Sequence, residues 1–185
     1  REWLDADKER GDFTVIACED KRSIEIGGLA LTTRLDRVDE LTDGRRIVID
    51  YKTRAPLVGA MLGERPDEPQ LPLYLVTAEL DAAAVAFAQV RLGAMQFTAL
   101  ARDNDLLPGV KAFSESRQRE RHGSWEELVA AWRTDLTRLA ISFRSGDAQV
   151  DPKKYPFTCR NCDVQPFCRI YERSESAFSQ QEEGE

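Results

Sequence analysis

The sequence predicts an α/β domain in which a central mixed sheet is flanked by helices. Three stretches favour this fold class: a charged β-hairpin over residues 29–52, two apolar strands over residues 84–101, and an amphipathic helix beginning near Trp125. At 185 residues, 42% of them hydrophobic, the chain can bury one substantial core. None of its apolar runs is long enough to span a membrane.

The segment Phe13–Glu19 is predicted to be the first strand, because β-branched and aromatic residues favour strands. Cys18 lies inside it. The simplest interpretation is a buried strand cysteine, since a free cysteine behaves as a small hydrophobic residue. Glu19 is a candidate site residue, although a solvated charge at a strand end is the alternative.

A β-hairpin is predicted next, with arms at 29–38 and 45–52 joined by Thr42-Asp43-Gly44, a sequence suited to a tight turn. Because alternate strand residues share a face, Asp50 and Lys52 should project to the same side of the second arm. Asp39, which is out of phase with Asp36, is expected to face away and to pair with Arg37 or Arg34.

The hairpin also predicts a metal site, because the first arm can bring Asp36 beside Asp50 and Lys52. Two close carboxylates repel each other unless a cation or proton intervenes. Ligand sets made only of oxygen suit Mg²⁺ or Mn²⁺. Asp36 and Asp50 are therefore the expected ligands, with the Tyr51 carbonyl as a third, and Lys52 would orient a water or stabilise developing charge.

A short helix is predicted around Gln70-Leu71-Pro72-Leu73-Tyr74. With Pro69 and Pro72 in its first turn, Gln70 and Tyr74 lie one turn apart on one face. These two residues are candidate site residues. The alternative is an amphipathic helix with Tyr74 half-buried.

The remaining elements are expected to be scaffold. Strands are predicted at 84–92 and 96–101, and a capping box, Ser124-Trp125-Glu126-Glu127, should begin a helix that ends at Gly146. The intervening residues 111–122 are rich in lysine and arginine. They are interpreted either as a loop that contacts backbone phosphate or as a solvated surface.

Three cysteines near the end of the chain, Cys159, Cys162 and Cys168, are too closely spaced for ordinary core residues. A Cys-x-x-Cys turn can direct two thiolates to one metal. Such clustering does not suit a secreted disulfide framework, and a reducing cytoplasm is the expected location.

Together these motifs resemble the PD-(D/E)XK nuclease superfamily, over about residues 13–172. The metal-site motif of that family matches Asp36 and Asp50-Tyr51-Lys52, and the Gln-x-x-x-Tyr motif of its RecB-like branch matches Gln70 and Tyr74. The resemblance is closest to the C-terminal nuclease domain of AddB-like or RecB-like repair proteins. It implies a restriction-endonuclease-like core and a Mg²⁺-dependent, exonuclease-like deoxyribonuclease.

The same resemblance extends to the cysteines. AddB-type nucleases end this domain with a Cys-x-x-Cys-x5-Cys run that binds three corners of a [4Fe–4S] cluster, and Cys159, Cys162 and Cys168 match its spacing. The fourth ligand would be Cys18 or would lie in sequence outside this chain. A zinc site on the same thiols is the alternative.

The resemblance implies DNA as substrate and a helicase domain or subunit outside this chain, within a recombinational repair helicase–nuclease. The alternative is a non-catalytic DNA-end-binding or docking module with an Fe–S or zinc staple. A net charge of −7 argues against nonspecific electrostatic DNA binding but does not exclude a nuclease. Residues 1–172 are expected to form the nuclease domain and residues 173–185 a disordered acidic tail.

Overall fold

The computed structural model describes residues 2–79 and 81–172, so the acidic tail predicted at 173–185 lies outside the described residues. Its strands are β1 (Phe13–Ile26), β2 (Leu29–Leu41), β3 (Arg46–Lys52), β4 (Ala82–Gln89) and β5 (Gln96–Ala101). Its α-helices are α1 (Glu2–Lys8), α2 (Gln70–Thr77), α3 (Arg119–His122), α4 (Trp125–Arg144) and α5 (Gln165–Cys168). Short 3₁₀ turns cover Val58–Met61, Phe113–Glu115, Phe157–Cys159 and Ile170–Glu172.

The five strands form one mixed sheet whose order follows the chain, β1-β2-β3-β4-β5. β3 and β4 pair in parallel, whereas the other neighbours are antiparallel. A parallel pair needs a long crossover, and here residues 53–81 supply it and carry α2. The predicted α/β fold, a mixed sheet with flanking helices, is confirmed.

Each face of the sheet is covered by a separate apolar cluster. Along β3 the residues alternate: Val48 belongs to the cluster that α2 and α4 cover, whereas Ile47 and Ile49 belong to the other cluster. The first cluster includes Val85, Phe87, Leu71, Tyr74, Leu128, Trp132 and Leu136. The second includes Ala84, Ala86, Leu106 and Leu107, with Trp3 of α1 packed against it. The strand period of two therefore separates the two layers.

The predicted hairpin is present. The Leu41 backbone N–H donates to the Arg45 carbonyl at 2.8 Å. Gly44 has a φ of +84°, which glycine adopts without strain. β2 runs three residues beyond its predicted end at residue 38, because its last residues still pair with β3 or β1. β4, in contrast, ends at Gln89 and not at residue 92, because the turn to β5 begins there.

The predicted helix at Trp125 is α4. Ser124 caps it by accepting a hydrogen bond from the Glu127 backbone N–H at 3.2 Å. Trp132 lies in the buried stripe of α4, and its indole N–H donates to the Met61 carbonyl at 2.8 Å. This bond ties α4 to the crossover that carries α2.

The chain divides into two compact units at residues 145 and 146. The first holds the sheet and α1–α4. The described part of the second, residues 146–172, consists of short turns and α5, and it contains Cys159, Cys162 and Cys168.

Candidate active site

The hairpin brings Asp36 and Asp50 together at the end of the β2–β3 ladder. The β2–β3 ladder ends at the pair Arg37–Ile49, and the next residues beyond that pair are Asp36 and Asp50. Asp36 accepts a hydrogen bond from the Tyr51 backbone N–H at 2.9 Å. This contact fixes the Asp36 carboxylate against the strand that carries Asp50.

Asp50 is almost completely buried, with 2% of its surface exposed. Burial raises the pKa of Asp50; the ammonium of Lys52 opposes the shift, and the charges of Asp36 and Glu68 add to it. Asp50 Oδ2 lies 2.9 Å from Lys52 Nζ, so the two side chains form a close ion pair. The charges of Asp36 and Glu68 beside this single ammonium leave an excess of negative charge that a cation could neutralise.

Lys52 is held among carboxylates. Its Nζ lies 3.9 Å from Glu68 Oε2 as well as beside Asp50, and it lies over the Phe87 ring at 5.8 Å. Burial acts to lower the pKa of Lys52, but the negative charges of Asp50, Glu68 and Asp36 outweigh it, so the pKa is raised. Lys52 is therefore a stable ammonium at neutral pH and a hydrogen-bond donor.

Gln70 and Tyr74 lie one turn apart on α2, as predicted, and contact each other. Gln70 Nε2 donates to the Tyr74 hydroxyl at 2.9 Å, and that hydroxyl donates to the Arg34 carbonyl on β2. Burial raises the pKa of Tyr74, and the charges of Asp50 and Asp36 add to this shift. Tyr74 therefore anchors α2 to β2 close to both aspartates, and it is buried, not half-buried.

The opposite face of the hairpin holds a buried ion network around Asp39. Its carboxylate accepts hydrogen bonds from Arg10 at 2.7 Å and from Arg37 at 2.6 Å. Arg37 also donates to the Tyr51 hydroxyl at 2.8 Å, so Tyr51 faces away from Lys52, as the alternation predicts. Asp39 thus faces away from the site and pairs with Arg37, whereas Arg34 pairs with Glu19.

Glu19 and Cys18 are both exposed on β1. The β1–β2 pairs on either side of Glu19 are Cys18–Arg37 and Asp20–Leu35, so Glu19 occupies the position across from Asp36. Its φ of 52° is left-handed, which is uncommon for a residue other than glycine. The expected buried cysteine is wrong: Cys18 is exposed on the edge strand β1 and belongs to neither apolar cluster of the described residues.

Cys159, Cys162 and Cys168 are each half-buried in consecutive turns. Burial raises the pKa of the Cys159 thiol, and the charges of Cys162 and Cys168 act in the same direction. Over residues 2–79 and 81–172, no three His, Cys, Asp or Glu side chains are gathered as one metal site. The thiols are thus near enough to influence one another, and their ligation stays a prediction.

Sequence reasoning missed Glu68 as a member of the site. Glu68 lies in the crossover just before α2, and its backbone N–H donates to the Ala60 carbonyl at 2.8 Å. The available signal was its position two residues before Gln70. An acidic residue there is common in any helix lead-in, so the signal was weak.

The chain matches a family of known proteins. The family model described as the PD-(D/E)XK nuclease superfamily matches residues 1–169. Among solved structures, the chain is similar to the crystal structure of SSO0001, with 15% sequence identity and a TM-score of 0.40. That similarity covers 90% of this chain and 66% of the other chain. A search of curated proteins finds no match.

Proposed function

The chain belongs to the PD-(D/E)XK nuclease superfamily, and we propose that it is a metal-dependent nuclease that hydrolyses phosphodiester bonds in DNA. The observation that carries this proposal is the arrangement of Asp36, Asp50 and Lys52 at the end of the β2–β3 ladder, with Lys52 Nζ 2.9 Å from Asp50 Oδ2. A scaffold has no structural need for a buried carboxylate beside other acids, because burying charge costs stability.

The carboxylates fit a hard divalent cation. Asp50 is buried near Asp36 and Glu68 with Lys52 as its ion-pair partner, and Asp36 accepts the Tyr51 N–H through one oxygen. Mg²⁺ is typically held by one or two carboxylates and keeps several waters. Asp36, Asp50 and the Tyr51 carbonyl would hold Mg²⁺ or Mn²⁺, which when bound would polarise the scissile phosphate and neutralise its charge.

Lys52 would act as a donor in this reaction. Because the surrounding carboxylates raise its pKa, its ammonium keeps its proton at neutral pH. It can hold a water, or a phosphoryl oxygen on which negative charge develops, through its three N–H groups. Deprotonating this lysine would require removing a charge that Asp50 and Glu68 both stabilise, so a role as general base is disfavoured.

Gln70 and Tyr74 would position the site. Their mutual hydrogen bond and the bond from Tyr74 to the Arg34 carbonyl hold the start of α2 against β2. A shift of α2 would displace Glu68, which precedes it, from Lys52. The Gln70 side chain would also be able to contact the DNA strand.

The wider context of the proposal is a recombinational repair helicase–nuclease. The cysteine spacing and the Gln-x-x-x-Tyr motif support a RecB-like or AddB-like nuclease part acting as a cytoplasmic exonuclease. The helicase would be another domain or subunit. A [4Fe–4S] cluster on Cys159, Cys162 and Cys168 would then bind the C-terminal segment and take no part in hydrolysis. No helix among the described residues is long and apolar enough to cross a membrane.

The decisive experiment is cleavage of end-labelled linear DNA with Mg²⁺ or Mn²⁺, compared with the same reaction in EDTA. We expect the wild-type chain to release the end label only when the metal is present. We expect Asp50→Ala protein to release none. A covalently closed circular DNA in parallel tests the exonuclease assignment, since an exonuclease requires an end. Binding of DNA ends without cleavage under every metal condition would instead favour the non-catalytic docking module.

A further inference from the structure

The edge of the sheet beyond the site carries an open groove of about 330 Å³, here called the β5 groove. Its lining includes residues 97–100 of β5, Val58 from the crossover, and two cations, Lys111 and Arg117. On its outer side β5 makes only an isolated bridge, between Ala101 and Ala112, among the residues that the structure describes. The groove is therefore a sheet edge that a basic loop partly covers.

Among the described residues, the two cations of the β5 groove lack the carboxylate partners that several arginines of the sheet have. Arg22, Arg37 and Arg46 each pair with a carboxylate. Lys111 and Arg117 are exposed, and neither forms an ion pair within the described ranges. The loop 111–122 holds four lysine or arginine residues and two glutamates, in a chain whose net charge is −7. Its unneutralised charge is suited to an anionic partner.

The register of the sheet connects this groove to the candidate active site. Asp50 pairs with Phe87 of β4, and Phe87 pairs with Thr98 of β5, so the three positions form one row. Leu100 belongs to the apolar cluster on the Val48 face, and Thr98 shares that face because it is two residues away. Two strand spacings of about 4.8 Å separate Thr98 from Asp50, roughly 10 Å in all.

We propose that the β5 groove holds the phosphodiester backbone of the DNA strand whose cleavage takes place at Asp50 and Lys52. The proposal rests on the proposed function and assigns the substrate path. A separation of roughly 10 Å corresponds to about three base-pair rises of 3.4 Å along a duplex axis. Lys111 and Arg117 would thus contact phosphates a few nucleotides from the scissile bond, and such contacts position a strand without reading its sequence.

The test compares two charge-reversed double variants in the Asp50→Ala background, which prevents cleavage. The groove variant is Lys111→Glu with Arg117→Glu. The matched control is Arg133→Glu with Arg144→Glu, which reverses two exposed cations on α4 and changes the net charge equally. Affinity for a labelled oligonucleotide, single-stranded and duplex, is measured by fluorescence anisotropy over a series of salt concentrations with Mg²⁺ present.

The groove variant should bind more weakly, and its plot of log affinity against log salt should be less steep. Two lost phosphate contacts correspond to a change in slope of about 1.4 for single strands and about 1.8 for duplex. The control should keep the slope of the parent. Equal losses of DNA affinity in both variants, or an unchanged slope in the groove variant, would overturn the proposal for the β5 groove. Cleavage by the wild-type chain would still support the proposed nuclease activity.

Two further outcomes are informative. A wild-type chain that neither binds nor cleaves DNA would overturn the proposed function and the groove together. If charge reversal lowers the melting temperature, Lys111→Gln with Arg117→Gln removes the same charges without adding acids. That variant should show the same change in slope, and a slope equal to that of the parent would overturn the proposal.

Discussion

Asp50 is a residue whose burial opposes folding, as is expected of a metal ligand. Its carboxylate is buried, lies near Asp36 and Glu68, and among the described residues has Lys52 as its ion-pair partner. Burial of a charge costs free energy unless it is paired and hydrogen-bonded. A bound cation would supply a further positive charge. The folded chain is therefore expected to be more stable with the metal bound than without it.

The roles of Asp50 and Lys52 are separable by mutation. Asp50→Ala removes a metal ligand and should abolish cleavage and cation binding while the fold is kept, because little core volume is lost. Lys52→Ala should also abolish cleavage but should leave cation binding intact, since an ammonium is not a ligand. Cleavage assays and calorimetric titration with Mn²⁺ measure the two effects. Equal loss of metal affinity in both variants would contradict this division of roles.

Cation binding should weaken on acidification because of Asp50. Its pKa is raised above the ordinary 3.8, so the folded chain holds a proton there more readily than the unfolded chain does. Without a cation, stability contributed by this group is greatest in acid and falls as the pH rises from about 3.8 through the raised pKa. A cation requires the deprotonated form, so its benefit appears only above that range.

The increase in melting temperature on adding Mg²⁺ measures this linkage. At a cation concentration about 100 times the dissociation constant, the stabilisation should be about 2.7 kcal/mol, and it should disappear as the pH is lowered. Asp50→Asn should show little response to Mg²⁺ at any pH. A response in the wild-type chain that stays constant across the series would contradict the assignment of Asp50 as a ligand.

At the scale of elements, the sheet and its helices are held by a few close contacts. The turn between β1 and β2 contains Gly27, which packs on α4: a Cβ there would lie 2.8 Å from the Thr137 carbonyl oxygen. On the other face, Asp39 joins the segment after α1 to β2 through Arg10 and Arg37. These contacts place β2, and with it Asp36, between two packed layers.

Gly27→Ala should destabilise the chain more than Gly44→Ala does. Both glycines have positive φ, at 57° and 84°, so each alanine costs about 1–2 kcal/mol from backbone strain. Only at Gly27 would the new Cβ also meet backbone of α4, whereas nothing lies within 4 Å at Gly44. Chemical denaturation measures the difference, and equal losses would show that the turn does not pack on α4 as described.

Asp39→Ala should lower the free energy of unfolding by about 3–5 kcal/mol, because two largely buried guanidinium groups lose their fully buried partner. Both keep their ion pairs to Asp7, so the loss should lie towards the lower end of that range. The exposed pair between Asp5 and Lys8 provides the control: Asp5→Ala should cost no more than about 1 kcal/mol. Denaturation in urea is the measurement. A loss of similar size in both variants would mean that the Asp39 network is not a buried network in solution.

At the scale of the whole molecule, two chemistries occupy separate compact units. The carboxylates and Lys52 lie in the unit of residues 1–145, and the three clustered thiols lie in the unit of residues 146–185. A soft thiolate set and a hard carboxylate set select different metals. Their separation in the chain predicts that one site can be lost without loss of the other.

Cys162→Ala should lower the iron content of anaerobically prepared protein that contains this chain, and should lower its melting temperature. Cation binding at Asp36 and Asp50 should not change. Cys18→Ala tests the fourth ligand, because iron falls only if Cys18 takes part. Iron analysis and visible absorption measure these outcomes. Colourless protein that contains zinc and no iron would rule out the cluster and favour a zinc site.

Local features of the fold are predictable from the sequence alone. The hairpin, the capped helix α4, the shared face of Asp50 and Lys52, and the one-turn spacing of Gln70 and Tyr74 all follow from short-range turn chemistry, capping and periodicity. These signals depend on residues a few positions apart. For that reason they are predictable without knowledge of tertiary contacts.

Which distant residues meet depends on tertiary packing. Glu68 lies beside Lys52, Tyr74 is buried against Arg34, and Arg10 reaches Asp39, because packing of the crossover and α1 on the sheet fixes their positions. The parallel pairing of β3 and β4 and the exposure of Cys18 on an edge strand have the same origin. Each depends on contacts between residues far apart in the chain, which composition and periodicity do not specify.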